Sequence, residues 1–438
     1  MSGHQGHAGH LGHPAGESGM PTISSDLDCD PEVIFWEITR ACALKCEHCR
    51  ARAQPKRHPL ELDTGTALGV MDQLTEFDTP PIVVLSGGDP FMRRDIFEIA
   101  EYGIRKGLTV SLSPSATALV TRDRLAKLID IGVRRVSFSL DGANVQTHDS
   151  FRGFEGTFDR TLASFDAANS VGLSFQINTT ITKSTKRELP EIARVVEVSG
   201  AVIWDLFFLV PTGRGLNLEL MSADEHDEVY GWVLENQQDW PFRSKTTLGQ
   251  PYRRAMTLRR LTAGGRSVDS LTPEEIKSTW LGPPTNDGRG IFFISHLGEI
   301  YPSGFIPISA GNVRKYSMVD VYRNSDLFTK IRDRAELQGK CGICPFNVIC
   351  GGSRSRAYAM TGDMTAADPT CRFQPPLRMG EAKLVGRRPV EPENALDRFD
   401  HSKMAIDVRY VAKHCVTHLQ PDAVPIIKLR VENTVIDL

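Results

Sequence analysis

Between about residue 33 and residue 214, short apolar runs alternate with longer amphipathic stretches. The runs rich in β-branched and aromatic residues predict strands over 33–39, 82–86, 108–112, 135–140, 174–181 and 202–210. The stretches between them carry helical periodicity near 66–77, 95–106, 122–131, 157–171 and 186–198. Gly107, Gly132 and Gly172 each stand just past such a stretch, where a left-handed helix cap is wanted. Regular strand–helix alternation implies a parallel sheet. Six strands are fewer than the eight of a closed barrel, so the pattern predicts an open, partial (β/α)6 barrel of the α/β class.

The flanks read differently. Residues 1–30 are rich in Gly, His, Ser and Pro, with His4, His7, His10 and His13 at every third position. A His-rich tract can bind metal, but the composition reads first as a disordered tail. The barrel is expected over 31–224. Residues 225–289 look polar and helical, broken at Pro251, Pro283 and Pro284, and read as a helical bridge. A small cysteine-rich module is expected over 290–374. Residues 375–438 start Pro- and Arg-rich, carry an apolar stretch near 424–431, and receive no role.

A chain of 438 residues is long enough for two or three domains. Its net charge of −3 implies no nucleic-acid partner. No apolar run reaches the length of a membrane span; the longest, 201–210, is interrupted by Asp205. The N-terminus lacks the charged-then-apolar pattern of a secretory signal, so a cytoplasmic location is expected. Without that signal, nine cysteines argue for metal ligation rather than disulfides. Seven fall in two groups, while Cys29 and Cys415 stand alone.

The first group is Cys42, Cys46 and Cys49, spaced C-x-x-x-C-x-x-C just after the first predicted strand. Three thiolates on one loop can hold three corners of a cubane iron–sulfur cluster and leave the fourth iron open for chemistry. The competing reading is a zinc knuckle completed by His48, although a residue between two ligands tends to point away from their metal. The strand end is also where catalytic groups collect in barrel-like folds.

Gly87-Gly88-Asp89-Pro90 follows the second strand. Glycines let backbone approach a ligand closely, and Asp89 adds a charge; alone, the run is a Gly-rich turn. Together the two motifs resemble those of radical S-adenosylmethionine (SAM) enzymes, over roughly residues 33–215. The resemblance implies a 4Fe–4S cluster on Cys42, Cys46 and Cys49, with SAM bound at the open iron. Reductive cleavage of SAM then yields a 5′-deoxyadenosyl radical that abstracts hydrogen from substrate. It implies a reducing partner such as a flavodoxin or ferredoxin. It also implies SAM contacts from Gly87, Gly88, Asp89 and Pro90, where the family usually has Glu for Asp89. His48 takes a position that is usually aromatic and packs by the adenine. Weaker matches add Ser113, Ser139, Asp141, Asn178 and Val210, each of which also reads as ordinary strand-end or turn chemistry. Arg152 reads either as a carboxylate partner or as a solvated arginine.

The second group is Cys341, Cys344, Cys350 and Cys371, a closed set of four thiolates suited to zinc or iron–sulfur. The stretch resembles the SPASM extension of radical SAM enzymes, which implies an auxiliary 4Fe–4S cluster. Ser303 and Ser353 stand where related sequences often have cysteine, so one auxiliary cluster is expected rather than two. The runs 295–303, 310–314 and 350–358 resemble the haem-biosynthesis branch, whose members alter the propionate side chains of tetrapyrroles. On that reading Arg354 and Arg356 meet substrate carboxylates; the alternative is surface charge. Peptide-modifying maturases share the architecture and are the second reading for the substrate. A non-catalytic zinc protein is the alternative of another class.

Overall fold

The structure, a computed structural model, describes residues 26–267, 271–280, 282–375, 428–431 and 434–437. The His-rich N-terminal tract and Cys415 lie outside the described residues. The chain divides into two units, 1–389 and 390–438. The described part of the second unit is an antiparallel pair of strands, Lys428–Val431 and Thr434–Asp437, within the stretch that had received no role.

All six predicted strands form: β1 (Val33–Thr39), β2 (Ile82–Gly87), β3 (Thr109–Leu112), β4 (Arg135–Ser139), β5 (Ser174–Ile181) and β6 (Ile203–Phe208). The helices are α1 (Thr64–Leu74), α2 (Ile96–Arg105), α3 (Arg122–Asp130), α4 (Val145–Arg152), α5 (Thr157–Val171) and α6 (Leu189–Ser199). Asp63, Thr121 and Asn144 start α1, α3 and α4 by accepting a backbone N–H three residues on. Gly107, Gly132 and Gly172 all take positive φ past their helices. The sequence pattern misses α4, a short polar helix held by its Asn144 cap and a left-handed Gly153.

Neighbours β1 to β6 pair in parallel, in chain order. The sheet extends beyond six strands on both sides. The segment expected to be a helical bridge holds α7 (Ala223–Asn236), α8 (Pro251–Ala263) and α9 (Pro273–Ser278), but between α7 and α8 it supplies a strand. That strand, β7 (Arg243–Thr247), is polar, and its pairing with β6 makes it a strand where its own sequence carries no apolar alternation. Beyond the short β8 (Asn286–Asp287), the cysteine module opens with β9 (Gly290–Ile294), which pairs in parallel with β1. Antiparallel β10 (Glu299–Tyr301) and β11 (Gly311–Asn312) complete that side. The barrel and the start of the cysteine module therefore share one sheet.

The sheet has an apolar outer face and an inner one on which polar side chains stand among apolar ones. Ile34, Trp36 and Ile38 of β1, Phe292 and Ile294 of β9, and Phe175 and Ile177 of β5 join the main core with helix residues such as Ala67, Ile99, Leu125 and Phe165. The alternate positions, in mutual register, are Glu37 with Ser86, Ser137 with Gln176, Ser139 with Asn178, and Asn178 with Asp205 and Lys245. Parallel strands covered on both faces read as continuous apolar runs. Alternation with polar residues marks a second face that stands apart from the apolar core.

Candidate active site

The three cysteines follow β1 directly. The chain closes on itself there: Cys42 N donates to Gln54 O (2.8 Å) and Gln54 N to Arg40 O (3.0 Å), and Arg40 Nη2 reaches Ala51 O. Cys42, Leu44 and Cys46 form a small buried cluster with Cys49 and Ala53 packed against it. Backbone N–H groups reach two of the sulfurs, Leu44 N to Cys42 Sγ (3.4 Å) and Ala53 N to Cys49 Sγ (3.5 Å). Burial raises the Cys42 thiol and pushes Cys46 up to about 11. Buried thiols of this kind are made thiolates by a bound metal, whose charge offsets the desolvation.

The Gly-Gly-Asp-Pro segment clamps this loop. Gly88 N donates to Thr39 O (2.8 Å) and Asp89 N to Ala41 O (2.7 Å). A Cβ on Gly87 or Gly88 would lie 2.1 Å from Thr39 O or 2.2 Å from Ala41 O, so only glycine lets the two backbones meet. Asp89 is fully buried; Phe91 N and Thr117 Oγ1 donate to its two oxygens, and burial pushes its carboxyl up to about 6. Pro90 opens the short turn that Asp89 caps. Ser115, which sequence reasoning missed, donates to Gly88 O (3.1 Å) and lies 3.5 Å from Cys42 Sγ, joining the motifs.

The structure places the remaining candidates in two ways. Ser113, Ser139 and Asn178 stand on the inner face, with Ser113 Oγ 2.5 Å from Ser137 Oγ and Asn178 Oδ1 accepting from Gln176 (2.6 Å). Asp205, the missed member of that face, accepts from Thr247 and pairs with Lys245 at 3.0 Å. Burial raises its carboxyl. Its signal in the sequence was a charge inside an apolar strand. By contrast, Val210 is buried beside Leu248 and Ala359. His48 stacks on Phe151 (4.8 Å between centroids), and burial holds its imidazole down to about 4.

Asp141 is buried with both oxygens engaged, by Thr180 N (2.7 Å) and by Arg152 Nη1 (2.9 Å). The carboxylate that Arg152 meets is thus internal. Burial opposes both charges, but His48 and then Arg152 keep Asp141 low, and Cys46 and then Asp141 keep Arg152 high. Arg214, after β6, donates from Nε to Cys46 O (2.8 Å) and from its backbone N to Cys49 O (3.1 Å), holding the loop from the far side.

On β1, Glu37 is buried between Arg50 (2.5 Å) and His296 Nδ1 (2.7 Å). Burial pushes its carboxyl up, but Arg50 and His296 outweigh that and hold it below its ordinary value.

In the cysteine module, Cys341, Cys344, Cys350 and Cys371 line one pocket with Arg254, Lys340 and Phe373. Asp368 N approaches Cys341 Sγ and Gly352 N approaches Cys350 Sγ, each at 3.4 Å. Cys344 and Cys350 pack against a second core formed by Leu261, Leu271, Ile276, Phe346 and Ile349, so α8 and α9 belong structurally to this module. Burial raises all three of Cys344, Cys350 and Cys371, Cys344 to about 12. Among the described residues no group of three or more His, Cys, Asp or Glu side chains is arranged to hold a metal ion. The four thiols of the second set line one pocket, and by residue type the two donor sets, three and four sulfurs, are those that iron–sulfur clusters take.

Arg354 and Arg356 correct an expectation. They are 2% and 1% exposed. Arg354 Nη1 donates to Met364 O and Ala366 O, and Arg356 donates to Leu248 O and pairs with Asp368. Neither is surface charge: Arg354 is spent on carbonyls of its own module, while Arg356, paired with Asp368, lines a pocket with Leu209, His226 and Met360. Ser353 caps the helix Arg354–Thr361, and Ser303 Oγ lies 2.9 Å from Ser355 Oγ.

Residues 36–196 match the family model of the radical SAM superfamily. The chain is 39% identical over 346 residues to the "AdoMet-dependent heme synthase" of Methanosarcina barkeri, spanning 79% of this chain and 97% of that protein. It is 36% identical to the protein of the same name from Nitratidesulfovibrio vulgaris, over 82% and 95%. A "PqqA peptide cyclase" of Methylocella silvestris is 27% identical, over 79% and 88%. Among solved structures, Streptococcus suis SuiB bound to S-adenosylmethionine shares the fold, with a TM-score of 0.61, 16% identity and coverage of 79% and 78%. The fold and the cysteine loop thus define a radical SAM enzyme. The chain belongs to that superfamily, and its extended similarity runs to heme synthases. Membership sets aside the non-catalytic zinc protein and implies a 4Fe–4S cluster and SAM. No helix among the described residues is long and apolar enough to cross a membrane.

Proposed function

We propose that this enzyme abstracts hydrogen from a tetrapyrrole that carries propionate side chains. The observation that carries this is the similarity to a heme synthase at 39% identity over nearly that protein's whole length. Cys42, Cys46 and Cys49 would hold the cluster. When bound, the cluster supplies one electron to the sulfonium of SAM, whose carbon–sulfur bond breaks to give methionine and a 5′-deoxyadenosyl radical.

The chain's own residues set the stage for that step. Gly87 and Gly88 let the second strand's end grip the cysteine loop, and Arg214 grips it from the other side. Arg152, held by Asp141, sets its guanidinium near Cys46. On the family resemblance, Gly87 to Pro90 would run along SAM through their backbone, Ser113, Ser139 and Asn178 would offer it polar side chains, and His48 and Val210 would bound that end of the barrel. Asp141 acts there through Arg152. The apolar core packed on the outer face of the sheet would close that side of the barrel to water.

Cys341, Cys344, Cys350 and Cys371 would bind one auxiliary cluster, because all four face one pocket and the serines at 303 and 353 are already hydrogen-bonded within the protein. The barrel would span 31–224 and the auxiliary module 290–374, joined by α8 and α9 of the intervening 225–289. A reductant such as flavodoxin or ferredoxin would supply the electron. A peptide substrate is the second reading, favoured by the 27% identity to a peptide cyclase.

Anaerobically purified protein should be brown, with iron and sulfide each at roughly eight per chain. Given SAM and a reductant it should form 5′-deoxyadenosine, and Cys46→Ala should abolish that product and remove about half the iron. A colourless, zinc-loaded protein would overturn the reading. Faster SAM consumption with an iron tetrapyrrole than with a precursor peptide would decide the substrate class.

A further inference from the structure

We propose that Arg50 is the anchor for a carboxylate of the substrate, beside the loop where the radical forms. This deepens, and rests on, the tetrapyrrole reading above. Arg50 immediately follows Cys49, so its place in the chain is tied to the cluster loop. Its guanidinium lies 4.5 Å above the Phe293 ring and 6.0 Å from Phe305. Phe293 pairs in register with Phe35, two residues before Glu37, so all three side chains share the inner face of the sheet. Arg50 therefore spans the seam between β1 and β9, at the end of the barrel that carries the cysteines.

Its hydrogen-bonding capacity is only partly used. Nη2 donates one bond, to Glu37 Oε2. Nε lies beside Gly304, 3.1 Å from where a Cβ would stand. Among the described residues Nη1 has no hydrogen-bond partner, and the side chain keeps 24% of its surface exposed. That contrasts with Arg354 and Arg356, whose guanidiniums are spent on protein carbonyls and on Asp368. Glu37 takes only Nη2 of Arg50, through Oε2, while its other oxygen lies 2.7 Å from His296 Nδ1. A planar cation stacked on an aromatic wall, with one edge open, is suited to a carboxylate on a flat, apolar molecule. Phe293 stacks in turn on Tyr301 (7° between planes), which continues that wall.

The test uses cluster-loaded full-length enzyme under anaerobic conditions. Binding of an iron porphyrin with four free propionates is compared with binding of its tetramethyl ester, by absorbance titration. The parent should prefer the free acid. Arg50→Gln should weaken free-acid binding roughly 10- to 100-fold and leave ester binding unchanged. Iron content reports whether the loop still forms. If Arg50→Gln loses iron, Arg50→Lys takes its place: it keeps the charge but not the fork, and should recover iron while binding the acid less tightly than the parent does. Equal free-acid affinity in the parent and in an iron-loaded variant would overturn the role of Arg50 and leave the tetrapyrrole reading standing. Failure of the parent to bind either porphyrin would overturn both.

Discussion

Gly88 shows how much rests on a single missing methyl group. A Cβ there would stand 2.2 Å from Ala41 O, and backbone cannot yield as a flexible side chain can. Gly88→Ala should therefore cost about 2–3 kcal/mol or more and lower iron loading. Gly69 in α1 is the control, since a Cβ there meets nothing within 4 Å. Gly69→Ala should raise stability by about 0.5–1 kcal/mol through helix propensity. Chemical denaturation and iron assays check both; equal effects at the two sites would refute the clamp. The glycines themselves were legible in the sequence, as part of Gly-Gly-Asp-Pro. Their contact with the loop after β1 was not, because it joins residues nearly fifty apart in the chain.

The element that the sequence pattern missed, α4, carries a large local electrostatic commitment. Its last residue, Arg152, is buried against Asp141 at 2.9 Å. Asp141→Asn leaves that cation unpaired and should cost about 3–5 kcal/mol in urea unfolding. Adding Arg152→Met should recover part of the loss by removing the stranded charge. A double variant no more stable than the single one would show that the pair is not the source of the cost. The strands were readable because β-branched runs and glycine stops report local preference. α4 and β7 were not, because the first depends on caps and an internal ion pair, and the second on pairing with β6.

At the level of the whole molecule, burial sets an acid limit. His226 is packed on Phe208 with Nδ1 on Ser222 O, and burial holds it down to about 4. Between about pH 6.5 and 4 the unfolded chain binds a proton that the folded one refuses. Stability from this group is present above that window and is lost as pH falls through it. His226→Gln should thus gain on the parent by up to about 3 kcal/mol on going from pH 7 to pH 4. Asp89, raised to about 6, has the opposite sign: it favours folding as pH falls, and it cancels when variant and parent are compared. A pH-independent difference in unfolding free energy would refute the assignment.

Chain order, spacing and residue chemistry determined the strand–helix alternation, the three-thiol loop, the glycine run and the four-thiol set, because each is written in neighbouring residues. Tertiary structure decided what those features touch. It buried Arg354 and Arg356, joined the cysteine module to β1 through β9, and left Arg50 with an open edge on the inner face. Burial and unused hydrogen-bonding capacity arise from contacts between residues distant in the chain, and local pattern carries no record of them.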